Sequence, residues 1–301
     1  ASSIVTAGAN PIFADVELDS QNISRRTIEA VMTPNTKAII CVHLAGWMCD
    51  MDPIMQLAEE KGIFVIEDCA QAHGAMYKGK PAGSIGHIGA WSFCQDKIMT
   101  TGGEGGMVTT NDEHLWKKMW SYKDHGKNFD SIYNKQHPPG FRWLHDSFGT
   151  NWRMMEMQAV IGRIQLQKMP QWTAQRNANM QKIYAAFKDS PYFTVYQPSE
   201  DYTHAAYKCY VQVNTDQLPT GWSRDRIMAE INALGVPCFS GSCSEVYLEH
   251  AFDNTRWRPQ QRLENAQVLG DNSLMFLVHP TLSANSLEKT VAAIDRVIAC
   301  I

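Results

Sequence analysis

The sequence predicts an α/β fold with a mainly parallel sheet, followed by a smaller α+β unit. Three short apolar runs, at 36–42, 64–66 and 90–93, have the length and composition of buried strands. A helix is predicted between the first two, from Asp52 to near Gly62. The order strand, helix, strand is typical of crossover connections between parallel strands.

The remaining elements follow from capping residues and periodicity. Ser24 is the expected N-cap of one helix, and Gly235 is the expected stop of another. Beyond residue 170 the strands and helices take an α+β order, so we predict a large domain over 1–170 and a small C-terminal domain over 171–301. The further predicted helices are 4–9, 24–32, 112–122, 224–234 and 285–301, and the further strands are 11–16, 206–213 and 273–278.

Composition excludes several classes of partner. The 301 residues are 44% hydrophobic, which is enough for two lobes. The net charge of −4, without a basic run, argues against nucleic acid and against an acidic membrane surface. No apolar run approaches the roughly 20 residues of a membrane span.

The cysteines and the opening residues favour the cytoplasm. The first residues carry no basic leader, and the eight cysteines include no C-x-x-C pair, so we expect free thiols. Cys69 with His73, or Cys41 with His43, could hold a metal, but the spacing signal is weak and we expect none.

The stretch 64–106 contains the candidate ligand-binding and catalytic residues. Its first strand delivers Glu67 and Asp68 at the carboxyl end, where ligands of open α/β sheets bind. The next strand delivers Lys97, and the glycine-rich loop 102–106 behind it allows close backbone approach.

An acid and a lysine at neighbouring strand ends suit one cofactor. A buried lysine that loses its charge can form a Schiff base with a carbonyl, such as that of pyridoxal 5'-phosphate (PLP). The ring nitrogen of PLP needs an anionic partner, since a nearby carboxylate favours its charged form. Asp68 would be that partner and Lys97 the Schiff-base lysine. The rival lysines, Lys78 and Lys80, lie in a turn-rich segment and are expected to be exposed.

Three segments resemble a known family: IEDCAQAHGA, WSFCQDK and GGEGGMVTTND. They are similar to the sugar aminotransferases of the DegT/DnrJ/EryC1/StrS family, which are fold-type-I PLP enzymes. The resemblance implies that Asp68 pairs with the pyridinium nitrogen, Gln71 lies beside the ring hydroxyl, Ser92 binds the phosphate and Lys97 carries the cofactor as the internal aldimine. A family branch with His at the position of Lys97 performs dehydration, so the lysine indicates amino transfer.

The segment TNWRMMEMQAVIGRIQLQKM resembles a further hallmark of the family. We predict a helix capped by Thr150 or Asn151, whose apolar residues from Met154 to Leu166 follow helical spacing and pack in the core. The resemblance implies that Asn151 reaches the PLP phosphate of a partner subunit. The protein would then be a homodimer with shared active sites.

Two loops are candidates for substrate contact. The segment 123–149 is predicted to be long and irregular, and loops of this length tend to be functional or mobile. By resemblance it frames the sugar site, with His145 as the candidate residue, although a structural hydrogen bond is the alternative. Trp47, after the strand 36–42, either contacts substrate or packs in the core.

The implied function is transfer of an amino group from L-glutamate to a nucleotide-linked keto-sugar. A UDP- or dTDP-linked 4-keto-6-deoxyhexose is the expected acceptor, for cell-surface polysaccharide such as lipopolysaccharide O-antigen. The alternatives are a 3-keto-sugar aminotransferase, a catalytically silent PLP-binding regulator and a metal-dependent enzyme. The opening residues resemble a segment inside the family's large domain. We therefore expect the family's N-terminal helix, its Ser-Gly-Thr phosphate turn and its ring-stacking aromatic to be missing ahead of them.

Overall fold

The structure, a computed structural model, describes residues 1–140 and 142–301. Strands and helices alternate through the first part of this range, and α6 connects it to the second part. The helices are α1 (Ser2–Thr6), α2 (Arg25–Glu29), α3 (Met51–Lys61), α4 (Glu113–Lys123), α5 (Phe129–Tyr133), α6 (Glu156–Phe187), α7 (Arg224–Ala233), α8 (Glu264–Asn272) and α9 (Ala284–Ile298). The strands are β1 (Ala38–Val42), β2 (Phe64–Asp68), β3 (Met76–Tyr77), β4 (Lys80–Pro81), β5 (Ile88–Ser92), β6 (Gly106–Thr109), β7 (Phe193–Thr194), β8 (Tyr202–Thr203), β9 (Cys209–Val213), β10 (Cys238–Phe239) and β11 (Ser273–Phe276).

The central sheet has the order β1-β2-β5-β6. The pairs β1–β2 and β2–β5 are parallel, whereas β6 runs antiparallel to β5. The connection from β1 to β2 is α3, which ends at Gly62 in the left-handed conformation (φ 63°). The predicted mainly parallel sheet is therefore confirmed.

A second sheet, β10-β11-β9-β7, is antiparallel throughout. The carboxyl-terminal part of α6 packs on β9 and α9, and α7 packs on β10 and α9. A smaller sheet, β4-β3-β8, joins the hairpin after β2 to the segment before β9. Helices against an antiparallel sheet are the α+β arrangement predicted for this part of the chain.

Two clusters of buried apolar side chains form the core. The first surrounds α3 and β2, and the second surrounds β9, β11 and α9. Helix α6 contributes Met169 to the first and Met180 to the second, and it runs through Pro170 without a break. The division into domains at residue 170 stays a prediction, and it would cut a continuous helix.

The predicted strand 11–16 is wrong, since these residues form no strand. Their polar groups are used elsewhere. The Asp15 carboxylate accepts hydrogen bonds from the backbone N–H groups of Asn265 and Ala266, each at 3.0 Å, in the first turn of α8. The backbone oxygen of Val16 accepts from the Asn265 side chain at 2.7 Å. This segment thus caps a helix.

The predicted start of α6 is also wrong, because the helix begins at Glu156 and neither Thr150 nor Asn151 caps it. The backbone N–H of Thr150 donates to Tyr122 at 2.6 Å, and that of Trp152 donates to Lys123 at 3.0 Å, so these residues are held extended against the end of α4. The apolar residues predicted to pack in the core are largely exposed. The exposed ones are Met157 (69%), Val160 (55%), Ile164 (50%) and Leu166 (61%).

The segment 123–149 is less irregular than predicted. It contains the short helix α5, capped by Asn128, and its backbone pairs at Lys127 with His145. Phe141 lies outside the described residues. Throughout residues 1–140 and 142–301, no helix has both the length and the apolar character needed to cross a membrane.

We expect Gly46→Ala to destabilise the fold by about 2 kcal/mol or more. Gly46 has φ +96°, and a Cβ there would lie 2.7 Å from the Ala205 Cβ and 3.0 Å from the Ala206 backbone nitrogen. The control is Gly79→Ala, at φ +77° with nothing within 4 Å, which should cost only about 1 kcal/mol of backbone strain. Urea unfolding measures both. Equal losses would show that the contact with Ala205 is not restrictive.

Candidate active site

The side chains predicted to bind a ligand lie at the ends of adjacent strands. Asp68 ends β2 and Ser92 ends β5, and the two strands are parallel, with Asp68 opposite Ala90. Their carboxyl ends therefore meet at one edge of the sheet. Asp68 is half-buried, and one of its oxygens accepts from the Ala70 N–H at 3.0 Å. Within the described part of the chain, its other oxygen accepts no hydrogen bond.

Gln71 and Ser92 have defined hydrogen-bonding roles. The side-chain oxygen of Gln71 accepts from the Ala45 N–H at 2.7 Å, so the opposite end of the amide, the NH₂ group, is left to donate. The Ser92 hydroxyl oxygen accepts from the Cys94 N–H at 3.3 Å and keeps its proton for another acceptor. Both residues can donate to a ligand oxygen.

Lys97 is a shielded lysine five residues beyond β5. Its side chain is 18% exposed, and its Nζ lies 3.5 Å from the Asp96 carboxylate. The ammonium also lies 5.5 Å from the centroid of the Tyr207 ring. The rival lysines, Lys78 and Lys80, are exposed on the hairpin β3–β4, as predicted.

Glu67 is the most heavily bonded side chain near the site, and it is fully buried. Its carboxylate accepts from the His43 ring at 2.9 Å and from three backbone N–H groups: Gly83 (2.8 Å), Ile85 (2.8 Å) and Gly86 (2.6 Å). Burial would raise the pKa of Glu67, but the hydrogen bonds from His43, Gly86 and Gly83 outweigh it, and the pKa is lowered. Glu67 is therefore an ionised anchor beside Asp68.

His43 completes this cluster. Its Nδ1 accepts from the Cys49 N–H at 3.2 Å, so its Nε2 carries the proton donated to Glu67. Cys69 lies in the same cluster, whose three possible metal-ligand atoms are all within 4.8 Å of one another. Burial raises the pKa of the Cys69 thiol far above its ordinary value, so it stays protonated. Since both His43 nitrogens are already engaged, the geometry is that of a hydrogen-bonded anchor.

The other predicted site residues lie apart from these strand ends in sequence and are differently disposed. Asn151 is exposed, and its side-chain oxygen accepts from Arg153 at 3.1 Å. His145 is exposed and is held through backbone pairing with Lys127. Trp47 is half-buried, with its ring centroid 6.1 Å from that of His204. Their roles in binding stay predictions.

The anchors behind the predicted residues are not evident from the sequence. Glu67 stands out there only as a neighbour of Asp68, and His43 only as a weak candidate for a metal ligand. The position of His43 one residue beyond a buried strand is the available signal. Tyr207, whose hydroxyl donates to Asp96 at 2.8 Å, is 111 residues away in the chain, and no local pattern links the two.

Comparison with known proteins identifies the family. The model of the DegT/DnrJ/EryC1/StrS aminotransferase family matches residues 1–295. The chain belongs to this family. It is 31% identical over 300 residues to the GDP-perosamine synthase of Caulobacter vibrioides, covering 99% of this chain and 76% of the relative. A second relative, the pleiotropic regulatory protein of Geobacillus stearothermophilus, is 31% identical over 294 residues, covering 98% of this chain and 74% of that protein.

A solved structure supports the same assignment. The aminotransferase from Psychrobacter cryohalolentis has 63% sequence identity and a TM-score of 0.98, over 100% of this chain and 78% of that one. The fold is therefore that of fold-type-I PLP-dependent aminotransferases, as the resemblance implied. The chain spans about three quarters of the length of these relatives, as the shares of 76%, 74% and 78% show.

The cofactor of the family is PLP, and the residues at the strand ends fit it. Among residues 1–140 and 142–301, no partner is found for the second carboxylate oxygen of Asp68, the NH₂ group of Gln71 or the hydroxyl proton of Ser92. Lys97 supplies the shielded amine. This donor and acceptor set matches a protonated ring nitrogen, a ring hydroxyl, a phosphate and an aldehyde.

We expect Glu67→Gln to destabilise the protein by about 3 kcal/mol, because an amide NH₂ would then face hydrogen-bond donors in a fully buried position. Glu59→Gln is the control, since Glu59 is exposed. Urea unfolding near neutral pH measures both. A loss as small as that of the control would contradict the anchoring role of Glu67.

The contribution of Glu67 to stability should also depend on pH, and the Glu67→Gln variant tests this. The pKa of Glu67 is lowered in the folded protein from an ordinary value of 4.5. Its stabilisation is thus fully present above that value and is lost as the pH falls through the lower, folded-state pKa. The stability difference between parent and Glu67→Gln should shrink over this acidic range. A difference that stays constant down to the acid transition would contradict this assignment.

Proposed function

We propose that this protein transfers an amino group from L-glutamate to a nucleotide-linked keto-sugar. The main support is the arrangement of four side chains. The shielded amine of Lys97 follows β5, and the neighbouring strand β2 ends in Asp68. Gln71 and Ser92 each have a donor group that remains available to a ligand. The name of the Caulobacter relative supports a sugar acceptor and adds GDP-sugars to the UDP- and dTDP-linked 4-keto-6-deoxyhexoses as candidates. A 3-keto-sugar is the alternative acceptor.

Each side chain has a task in this proposal. PLP, when bound, supplies an electron sink for the electrons released at the substrate carbon. The Asp68 carboxylate keeps the ring nitrogen protonated, while Gln71 donates to the ring hydroxyl and Ser92 to the phosphate. The Lys97 amine takes the proton from the α-carbon of glutamate and returns a proton to the sugar carbon that receives the nitrogen.

The proposal includes a homodimer. The exposed apolar residues Met157, Val160, Ile164 and Leu166 lie on the amino-terminal half of α6 and would be covered by a second copy of the chain. Asn151, exposed just ahead of that helix, would then reach the phosphate bound by the partner. His145 and Trp47 remain the proposed substrate contacts.

The cytoplasm is the proposed location. All eight cysteines are free, and most are buried, as expected for a protein kept in a reducing compartment.

A catalytically silent regulator is the second candidate. The Geobacillus relative is named as a pleiotropic regulatory protein and matches nearly the whole chain. A regulator needs to bind PLP or a partner but needs no reactive amine. The shielded Lys97 therefore favours the enzyme, and the lysine variant below separates the two.

We expect Lys97→Ala to abolish turnover with glutamate and a panel of nucleotide keto-sugars, because the variant lacks the amine that is proposed to carry the proton. The parent should show a PLP absorbance band that bleaches on addition of glutamate. Lys80→Ala is the control, since Lys80 is exposed. Appreciable turnover in Lys97→Ala refutes the assignment, whereas a parent that binds PLP without bleaching favours the regulator.

We expect Ile164→Asp to convert the dimer to a monomer, because a charge would be buried in the proposed apolar contact. Ile164 is 50% exposed in the single chain, so the fold itself should tolerate the change. Leu234→Asp, at a position 38% exposed at the end of α7, is the control. Sedimentation velocity measures the mass. A parent that is monomeric at micromolar concentration would contradict the dimer.

A further inference from the structure

Lys97 is held by two residues that the proposed mechanism does not use. The Asp96 carboxylate lies 3.5 Å from the Lys97 Nζ through one oxygen. Its other oxygen accepts from the Tyr207 hydroxyl at 2.8 Å. Because Tyr207 comes from the segment that leads into β9, this contact ties the Lys97 loop to a distant part of the chain.

Tyr207 is fixed in this position. It is 7% exposed, and its backbone N–H donates to Ala45 at 2.8 Å. Burial raises the pKa of the Tyr207 hydroxyl far above its ordinary value, and the neighbouring Asp96 raises it further, so the hydroxyl remains a donor. Its ring also lies under two ammonium groups, 5.5 Å from Lys97 and 4.9 Å from Lys208.

Asp96 is suited to hold an amine. Partial burial would raise the pKa of Asp96, but the hydrogen bonds from Tyr207 and Cys94 and the charge of Lys97 lower it, so the carboxylate is ionised. The Asp96 side chain is 57% exposed, so the ion pair itself is weak. The Asp96 carboxylate can nevertheless orient the Lys97 amine, because the hydrogen bond from Tyr207 fixes the position of the carboxylate.

We propose that Asp96, oriented by Tyr207, is a positioning residue for the Lys97 amine. The inference rests on the proposed function, in which Lys97 is displaced from the cofactor by the amino donor, stays free until the second half-reaction ends, and carries a proton in both half-reactions. A free lysine has four rotatable bonds, and a fixed carboxylate beside its Nζ restricts where the amine lies. Asp96 and Tyr207 thus keep the amine within reach of the reacting carbon.

Two kinds of measurement test this. The first measurement follows the acetylation of Lys97 in the cofactor-free chain by peptide mass spectrometry. Asp96→Asn should raise the rate of Lys97 acetylation, because the ammonium loses its anionic partner. The expected increase is roughly two- to fivefold, which is the range that a partly exposed ion pair supports. The second is steady-state kinetics of the PLP-loaded protein. Here Asp96→Asn should lower kcat about tenfold with little change in KM for glutamate, because the amine is less often in place.

Two further variants distinguish an effect on the position of the Lys97 amine from an effect on folding. Tyr207→Phe keeps the ring but removes the hydroxyl that orients Asp96, so it should change both readouts in the same direction and by less. Asp189→Asn removes an exposed carboxylate elsewhere and should change neither. Melting temperature and PLP affinity should be similar for all four proteins.

The outcomes are distinct. A more reactive Lys97 combined with a lower kcat supports the positioning role. Unchanged acetylation and kcat in Asp96→Asn overturns it, and so does a kcat loss that only parallels a lower melting temperature or weaker PLP binding. Borohydride reduction of the PLP-loaded parent, followed by peptide mapping, tests the underlying proposal. Cofactor attached to a residue other than Lys97 would refute the proposed function itself. Cofactor attached to Lys97, together with unchanged acetylation and kcat in Asp96→Asn, would refute only the positioning role.

Discussion

The buried carboxylate of Glu67 is the interaction on which the rest of the site depends. A fully buried charge is tolerated only when its hydrogen bonds are satisfied, and Glu67 has four donors. One donor is His43, which follows β1, and the others are backbone groups of the loop 83–86, which leads into β5. The single side chain therefore joins the carboxyl ends of β1 and β2 to the loop that enters β5. Loosening it would release these two strand ends from that loop.

The alternation of side chains along β2 explains why Glu67 can anchor while Asp68 stays free. Successive residues of a strand point to opposite faces of the sheet. Glu67 shares its face with Val65 and with Cys41 of β1, both fully buried. Asp68 lies on the other face, with the half-buried Ile66. One acid is committed to structure, and its neighbour keeps an oxygen for a ligand. The pair Asp96 and Lys97 repeats this division, with the acid held by Tyr207 and the amine available for chemistry.

The sequence predicted most of the central sheet, because its strands are short apolar runs separated by recognisable caps. Gly62 and Ser24 behave as expected: Gly62 is left-handed, and Ser24 accepts from the Thr27 N–H. The failures have a common cause. Residues 11–16 have the composition of a strand, but a strand needs a partner, and Asp15 instead binds the start of α8. The links from Glu67 to His43 and from Asp96 to Tyr207 are long-range contacts that local patterns do not encode.

The misread face of α6 shows a different limit. Helical periodicity identifies an apolar face but not what covers it. Another side of α6 forms hydrogen bonds with the loop after Lys97. Gln158 donates to the backbone oxygen of Glu104 at 2.6 Å, and Gln165 accepts from the Thr100 N–H at 2.9 Å, both in the loop after Lys97. One side of this helix thus fixes the Lys97 loop while the other side exposes Val160 and Ile164. In the proposed dimer, a second copy would pack on the exposed side of the same helix that holds the loop after Lys97.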